Sequence, residues 1–407
     1  MVAANGSAKI QFMNQLCQEA RRAFIEHFGE PEGLAYVRAP GCVNLIGDHT
    51  DFYGGFALPV AVDLNTILAF RPNDSDEVRI RSVFFNQTAS FRLDDLNPDE
   101  EFDWIDYVQG SAGELGRHGV ELRGFDAVLS GSLPVGVGLG SSSALTVAAS
   151  MAFMHLAGVE LDRMEIAQLC HHAETEFVGV QSGLVDPVAC LLGQKNSALK
   201  IDCTSLEVEF VPIHVSDANL VICDSKVRSE NIWNEINRRR EQCRDGMRQI
   251  AKVVLGREID SLCDISLSDF NLYGPMLQEP IQQRIKHVVT ENKRVLECAE
   301  SLLDRNIMRA GVLLDASHAS LRDDYEVSCK ELDLLTEIAW NTRHVYGARM
   351  TGLGFGGATI NMVEGEGVRS FCQVMASEYK NRMETTPNIY VCNTEMGAEI
   401  LTEEKGT

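Results

Sequence analysis

Apolar residues fall at helical spacing through residues 8–28 (Ile10, Met13, Leu16 and Phe24, with charges between them), so the chain is expected to open on an amphipathic helix. A short β-like stretch at 35–37 is followed by a turn-rich segment. Residues 56–70 and 77–91 read as strands of one sheet, separated by the turn Pro72-Asn73-Asp74. Helical periodicity returns over 103–116, and 124–130 reads as another strand. An Ala-rich apolar helix is expected over 145–156, further helices over 164–176 and 188–193, and a hairpin from 197–203 and 207–211. Residues 219–224 have the continuous apolar character of a buried strand. A long charged helix is expected over 229–255, where Arg238-Arg239-Arg240 reads as a solvated face. Amphipathic helices fill 278–316.

Between the strand at 124–130 and the helix at 145–156 lies Leu133-Pro134-Val135-Gly136-Val137-Gly138-Leu139-Gly140-Ser141-Ser142-Ser143-Ala144. Glycines at alternate positions let the backbone curl around a ligand, because no Cβ blocks approach and positive φ is tolerated. The helix start then offers unpaired N–H groups and the positive end of its dipole, which favour phosphate. The lysine of a Walker loop is missing. Taken alone, such a loop is more often an ordinary turn than a phosphate cradle.

Composition narrows the function classes. Lys and Arg number 36 against 59 Asp and Glu, a net charge of −23. That charge repels nucleic acid and anionic membranes, and leaves a nucleotide site dependent on Mg²⁺ and local N–H donors. Twelve cysteines are scattered without a CxxC pair or zinc-like spacing, as expected of reduced thiols. The longest apolar run, 144–158, carries Thr146, Ser150 and His155 and is too short to span a bilayer. The first fifteen residues lack a charged region followed by an apolar one, so no secretory signal is expected. The chain reads as a soluble, cytoplasmic monomer.

Two further segments change the odds for the glycine loop. Ala39-Pro40-Gly41-Cys42-Val43-Asn44-Leu45-Ile46-Gly47-Asp48-His49-Thr50-Asp51 precedes Gly54-Gly55-Phe56. Ser320-Leu321-Arg322-Asp323-Asp324-Tyr325 through Cys329 precedes Arg349-Met350-Thr351-Gly352-Leu353-Gly354-Phe355-Gly356-Gly357. With the glycine loop, these resemble the three motifs of the GHMP kinases, and among them the galactokinases, from about residue 35 to about residue 392. The resemblance implies an α+β, two-domain GHMP kinase fold with the active site in the inter-domain cleft. It places an N-terminal domain at 1–218 and a C-terminal domain at 219–407. It also implies ATP and Mg²⁺ as cofactors and a sugar phosphorylated at its anomeric hydroxyl.

Site residues carry over position by position. Gly136, Gly138, Gly140, Ser141, Ser142 and Ser143 would cradle ATP, with Ser142 or Ser143 and Glu174 holding Mg²⁺. Trp104 aligns with an aromatic of the adenine pocket, although composition alone favours a core residue. Asp186 corresponds to the catalytic acid–base, and Gly183 would let backbone approach the sugar. Asp51 and His49 would hold ring hydroxyls, and Asp48 would reach the primary alcohol. In a Gly-rich turn such residues also cap backbone N–H groups.

The departures from that pattern define the open questions. Cys42 stands where the resemblance calls for an arginine, Asp48 for a glutamate, Ile236 for a sugar-contacting tyrosine and Pro187 for a glutamine. Leu353 interrupts the glycines of the third motif. Arg38 lies four residues back, about 13 Å along an extended chain, and does not replace the missing cation. Arg228 is the more plausible surrogate. Three readings therefore stand: a galactose 1-kinase, a kinase for a sugar modified at C6, and an ATP- and sugar-binding sensor that has lost turnover.

Overall fold

The structure, a computed structural model, describes residues 6–98, 104–213, 218–229, 231–251 and 261–402. The first half begins with α1 (Gly6–Phe28), β1 (Ala35–Asn44), β2 (Phe56–Ala57), β3 (Pro59–Pro72), β4 (Glu77–Ser82) and β5 (Gln87–Arg92). It continues through α2 (Ile105–Arg117), β6 (Phe125–Gly131), α3 (Ser141–Ala157), α4 (Arg163–His172) and α5 (Val185–Leu192) to the hairpin of β7 (Ser197–Asp202) and β8 (Val208–Pro212). The second half opens with β9 (Asn219–Asp224), α6 (Ile232–Ile250), α7 (Leu267–Tyr273), α8 (Ile281–Leu303), α9 (Ile307–Ser320) and α10 (Lys330–Trp340). It closes with β10 (Val345–Thr351), β11 (Ala358–Val363), α11 (Val368–Met383), β12 (Asn388–Cys392) and β13 (Glu399–Thr402).

The strands form sheets of order β13-β1-β3-β6-β4-β5, β10-β11-β9-β12 and β2-β7-β8, antiparallel except for β4 against β6. The architecture is α+β. The central strands of the large sheet are buried on both faces, which explains their nearly continuous apolar sequences. On one face Tyr36, Ile67, Ala69 and Val128 pack on Leu16, Ala20 and Phe24 of α1. On the other, Val37, Leu68, Phe70 and Leu129 join Val147, Ala148 and Phe153 of α3. Apolar around most of its circumference, α3 is the buried helix its composition requires.

That core also takes in Leu220, Ile222, Val295, Leu302 and Ile360 from the second half, and β13 returns to pair with β1. The division proposed at residue 218 falls between β8 and β9.

The expected elements from 124 onward are found within a few residues; 252–255 of the expected long helix, and residue 103, lie outside the described residues. The first motif differs. Its strand does not stop at 37 but runs to Asn44, with a register shift between Pro40 and Gly41. Proline cannot donate to a ladder and is accommodated at such an irregularity. Gly41 is required because an added Cβ would lie 2.9 Å from Leu139 O and collide with Leu133. The strand therefore passes directly beneath the glycine loop, joined to it by Cys42 N donating to Leu139 O at 3.1 Å.

Candidate active site

A cavity of about 350 Å³ opens between the two halves, bounded by the first-motif turn, the glycine loop, the start of α5, the start of α6 and the third-motif loop. The glycine loop meets the geometric requirement read from its sequence. Gly136, Gly138 and Gly140 have φ of 72°, 84° and 64°, and Gly140 leads directly into α3. Gly136, Gly138, Gly140, Ser141, Ser142 and Ser143 all line the cavity, beside the N-terminal turn of a 17-residue helix whose N–H groups and dipole favour anions.

Ser143 Oγ donates to Glu174 Oε1 at 2.8 Å. Glu174 sits on a π-helical turn, Ala173–Phe177, where the extra residue re-aims the side chain into the cavity wall. Burial is complete and pushes its carboxyl up to about 7, although the Ser182 and Ser143 hydroxyls act in the opposite sense. Its second oxygen has no hydrogen-bond partner among the described residues. A buried acid with one free oxygen, next to a serine hydroxyl, is a donor set suited to Mg²⁺, which takes few protein oxygens and completes its shell with water and phosphate.

Two outcomes follow. Mg·ATP affinity, measured by calorimetry, is expected to fall as pH drops below about 7 and Glu174 protonates; Glu174→Ala weakens it throughout. Because the folded-state pKa is raised, ionisation of Glu174 opposes folding progressively between the unfolded value and about 7. Glu174→Gln is therefore expected to raise the thermal midpoint at pH 8 without metal or nucleotide while lowering Mg·ATP affinity.

Asp186 lies in the first turn of α5, not ahead of the helix, so the α5 dipole favours its ionised form. It is nonetheless raised to about 6, by burial first, with Cys42 hydrogen bonding opposing and the Asp48 charge reinforcing the shift. An added Cβ on Gly140 would lie 2.6 Å from Cys42 Sγ and 3.5 Å from Asp186 Oδ2, so thiol, loop backbone and carboxylate meet at one point. Cys42 Sγ is 3.8 Å from Asp186 O. Burial, then the Asp186 charge, pushes the thiol well above its ordinary range, so Cys42 is neutral at pH 7.

The same cavity is also lined by Asp48, His49, Asp51 and Gly183. Asp51 begins a 3₁₀ turn, Asp51–Tyr53, and Gly183 faces it so closely that a Cβ there would overlap Asp51 Oδ2. His49 adopts a left-handed φ of 67° and stacks on Tyr325 at 4.7 Å; neither ring nitrogen has a hydrogen-bond partner among the described residues. Burial keeps it neutral, with a pKa well below the usual value.

Three sequence expectations are corrected. Ile236 is fully buried with Tyr53 and Tyr325 in the second core, and the cavity wall on α6 is made by Ile232 and Trp233. One helical turn separates Ile232 from Ile236, enough to move the side chain behind the wall. Trp104 is stacked on Phe85 with ring centroids 6.0 Å apart and does not line the cavity, whereas Tyr107, one turn along, does. The basic run on α6 is not a solvated face. Arg238 is exposed, but Arg239 and Arg240 are buried.

Arg240 is the neighbour of Asp51 and Phe52 that sequence reasoning missed. Its guanidinium lies 3.4 Å over the Phe52 ring and donates to Gln181 Oε1 and O at 2.9 and 2.8 Å. Burial raises Asp51 to about 7, and the Arg240 charge is the largest influence holding it down. The signal was available: Ile232, Ile236, Arg239, Arg240 and Cys243 share one helix face, and its apolar members have to face the core.

Arg228 is the only Arg or Lys among the described residues lining the cavity. Its Nε lies 3.7 Å from the Cβ position of Gly136, and its two Nη atoms donate to Asp224 at 2.9 and 3.1 Å. Arg38 is spent elsewhere, on Glu399, Asn65 and the 396–397 carbonyls. From the third motif, Leu353 lines the cavity, and the Cβ position of Gly352 is 3.6 Å from Gly138 Cα, closing that loop over the glycine loop.

Comparison with known proteins agrees with this arrangement. Residues 22–72 match the galactokinase galactose-binding signature, and residues 106–194 match the GHMP kinases N-terminal domain. The chain is 40% identical over 379 residues to a galactokinase of Chloroflexus aurantiacus, covering 93% of this chain and 96% of that one. It is 36% identical over 391 residues to the galactokinase of Bacillus subtilis, covering 95% and 100%. The crystal structure of Lactococcus lactis galactokinase complexed with galactose superposes with a TM-score of 0.89 at 31% identity, covering 93% and 98%. A mevalonate kinase structure, at 21% identity and TM-score 0.62, shares the fold. With the three motifs converging on one cleft and relatives matched nearly end to end, the chain belongs to the galactokinase family of GHMP kinases.

Proposed function

We propose that this galactokinase transfers the γ-phosphoryl group of ATP to the anomeric hydroxyl of galactose, giving galactose 1-phosphate and ADP, with Asp186 as the base and with turnover slowed by Cys42. The observation that carries this reading is the meeting of the Asp186 carboxylate with Gly140 and Cys42, between a phosphate loop on one side and Asp48 and Asp51 on the other. Phosphoryl transfer asks the protein mainly for positioning and for charge where charge develops. The glycine loop and the first turn of α3 hold the phosphates. Asp51, ionised with the help of Arg240, and Asp48 accept hydrogen bonds from sugar hydroxyls, which carboxylates do in pairs. Asp186 orients the anomeric hydroxyl and takes its proton; burial places its pKa close enough to neutrality for that exchange. Ser143 and Glu174, with Ser142 beside them, would hold Mg²⁺, which when bound would supply charge neutralisation on the ATP phosphates.

Among the described residues no helix is long and apolar enough to cross a membrane, and none of the twelve cysteines is in a disulfide. These facts support a reduced, cytoplasmic setting; a monomer is our reading of its assembly. A coupled ADP-release assay over a panel of hexoses tests the proposal: galactose is expected to give the highest rate, and a higher rate with another hexose refutes the substrate assignment.

The sugar pocket is expected to be permissive at one end. Asp48 is a methylene shorter than glutamate, and the α6 wall of the cavity is made by Ile232 and Trp233, which offer no hydroxyl. Each lost polar contact relaxes discrimination by about 1–3 kcal/mol. In competition binding, 6-deoxy- and 6-amino-galactose should therefore compete with galactose more effectively than they do in the Bacillus subtilis enzyme. A stricter preference for galactose than in that relative contradicts the expectation.

A further inference from the structure

The third motif contributes more than a loop over the nucleotide site. Arg349, on β10 in the second half of the chain, is fully buried and reaches across to the first-motif turn. Nη1 donates to Asn44 O at 3.1 Å and Leu45 O at 3.2 Å, and Nη2 donates to Asp48 Oδ2. The other Asp48 oxygen accepts from Asn44 Nδ2 at 3.0 Å. The Asp48 carboxylate is thus gripped at both oxygens while the residue lines the cavity.

The rest of the turn is fixed from the same side. Glu291 Oε1 accepts from Gly47 N at 3.1 Å and from Ser317 Oγ at 2.5 Å, while its Oε2 accepts from Arg294 Nε at 2.6 Å. His287 Nε2 lies 3.3 Å from Asp48 O, and its Nδ1 lies 3.0 Å from Ser320 Oγ. Tyr325 is wedged between His49 and His287, with ring centroids 4.7 and 4.8 Å away. The segment 320–325, whose role the phosphate chemistry leaves unexplained, is part of the frame that holds the sugar turn.

We infer that Arg349 is a positioning residue that fixes the direction of the Asp48 carboxylate, and so sets how strictly the pocket reads the primary-alcohol end of the sugar. This rests on the proposed reading in which Asp48 faces that end. A buried carboxylate without a counter-charge neutralises and turns from acceptor into donor. Loss of Arg349 therefore changes both the aim and the hydrogen-bonding sense of Asp48. The shortness of aspartate sharpens the requirement, since one χ2 rotation carries both oxygens off target.

The test is calorimetric binding of galactose and of 6-deoxygalactose, which lacks the primary hydroxyl, with Mg·ATP affinity as the control. The unmodified protein should favour galactose by about tenfold. Arg349→Gln should bring that ratio to about one, through loss of galactose affinity, with 6-deoxygalactose and Mg·ATP affinities changed less than about threefold. A merely structural role would weaken both sugars together and keep the ratio, which overturns the inference. Should Arg349→Gln fail to fold by near-UV circular dichroism, Arg349→Lys keeps the buried charge but loses the forked geometry. Its ratio is then expected to fall at least about threefold, and an unchanged ratio overturns the inference equally. If the unmodified protein binds no galactose, the proposed function fails first. A ratio of about one in the unmodified protein refutes the role of Asp48, and Arg349 with it.

Discussion

Replacing Cys42 by arginine is expected to raise the catalytic constant by at least about tenfold, with little change in the affinity for galactose or Mg·ATP. The thiol sits where the glycine loop meets Asp186, and burial keeps it neutral. A neutral group there contributes nothing to the charge that accumulates on the transferring phosphoryl group. One preorganised donor at such a position is commonly worth about 10²–10³ in turnover, nearly all of it in the transition state. Gly140, lacking a Cβ, does not crowd the side chain at 42, whereas a Cβ there would lie 2.6 Å from Cys42 Sγ. The one Arg or Lys among the described residues lining the cavity, Arg228, is poorly released for this purpose, because both its Nη atoms are engaged by Asp224. Arg228→Met should accordingly cost more turnover in the unmodified protein than in the Cys42→Arg variant. If the unmodified protein already matches its arginine variant, Arg228 supplies the charge and the impairment assigned to Cys42 is wrong.

Asp186→Asn is expected to lower turnover by about 10²–10⁴ while leaving both substrates bound, the range for removing a positioned general base. The pH profile of the unmodified protein gives an independent check. Asp186 must be ionised to accept a proton, and burial raises its pKa to about 6, so the rate should fall as pH drops through about 6. In Cys42→Arg the added positive charge favours the carboxylate, and the acid limb moves to lower pH. A limb that stays in place in that variant would mean that position 42 does not face Asp186.

The sequence carried the fold unevenly, for physical reasons. Strands such as 219–224 and the helix beginning at Ser141 were legible because periodicity and turn residues agreed. The extension of β1 to Asn44 was hidden by Pro40 and Gly41, which read as a turn and prove to be a register shift in a buried strand. The phosphate loop could be read from its glycines and serines, since backbone conformation is written in residue type. Ile236 and Trp104 were misplaced for a different reason. Their positions came from resemblance, and alignment fixes a place along a helix but not the turn by which a side chain misses the cavity. Arg240 was missed as a site residue because its basic run reads as a solvated face, and Arg349 because it enters only as part of the third motif. A buried arginine is recognisable only when its partners, Gln181 and Phe52 for one and Asp48 for the other, are brought together by folding.

The most direct test of the central claim is phosphorus NMR of the protein incubated with Mg·ATP and galactose at comparable concentrations, over times long enough for slow turnover. The account predicts that a sugar phosphate ester at the anomeric oxygen accumulates in step with ADP, more slowly than with the Cys42→Arg variant. ATP left intact in the presence of demonstrably bound galactose, for the unmodified and the arginine variant alike, or a phosphate appearing on any other hydroxyl, would contradict it.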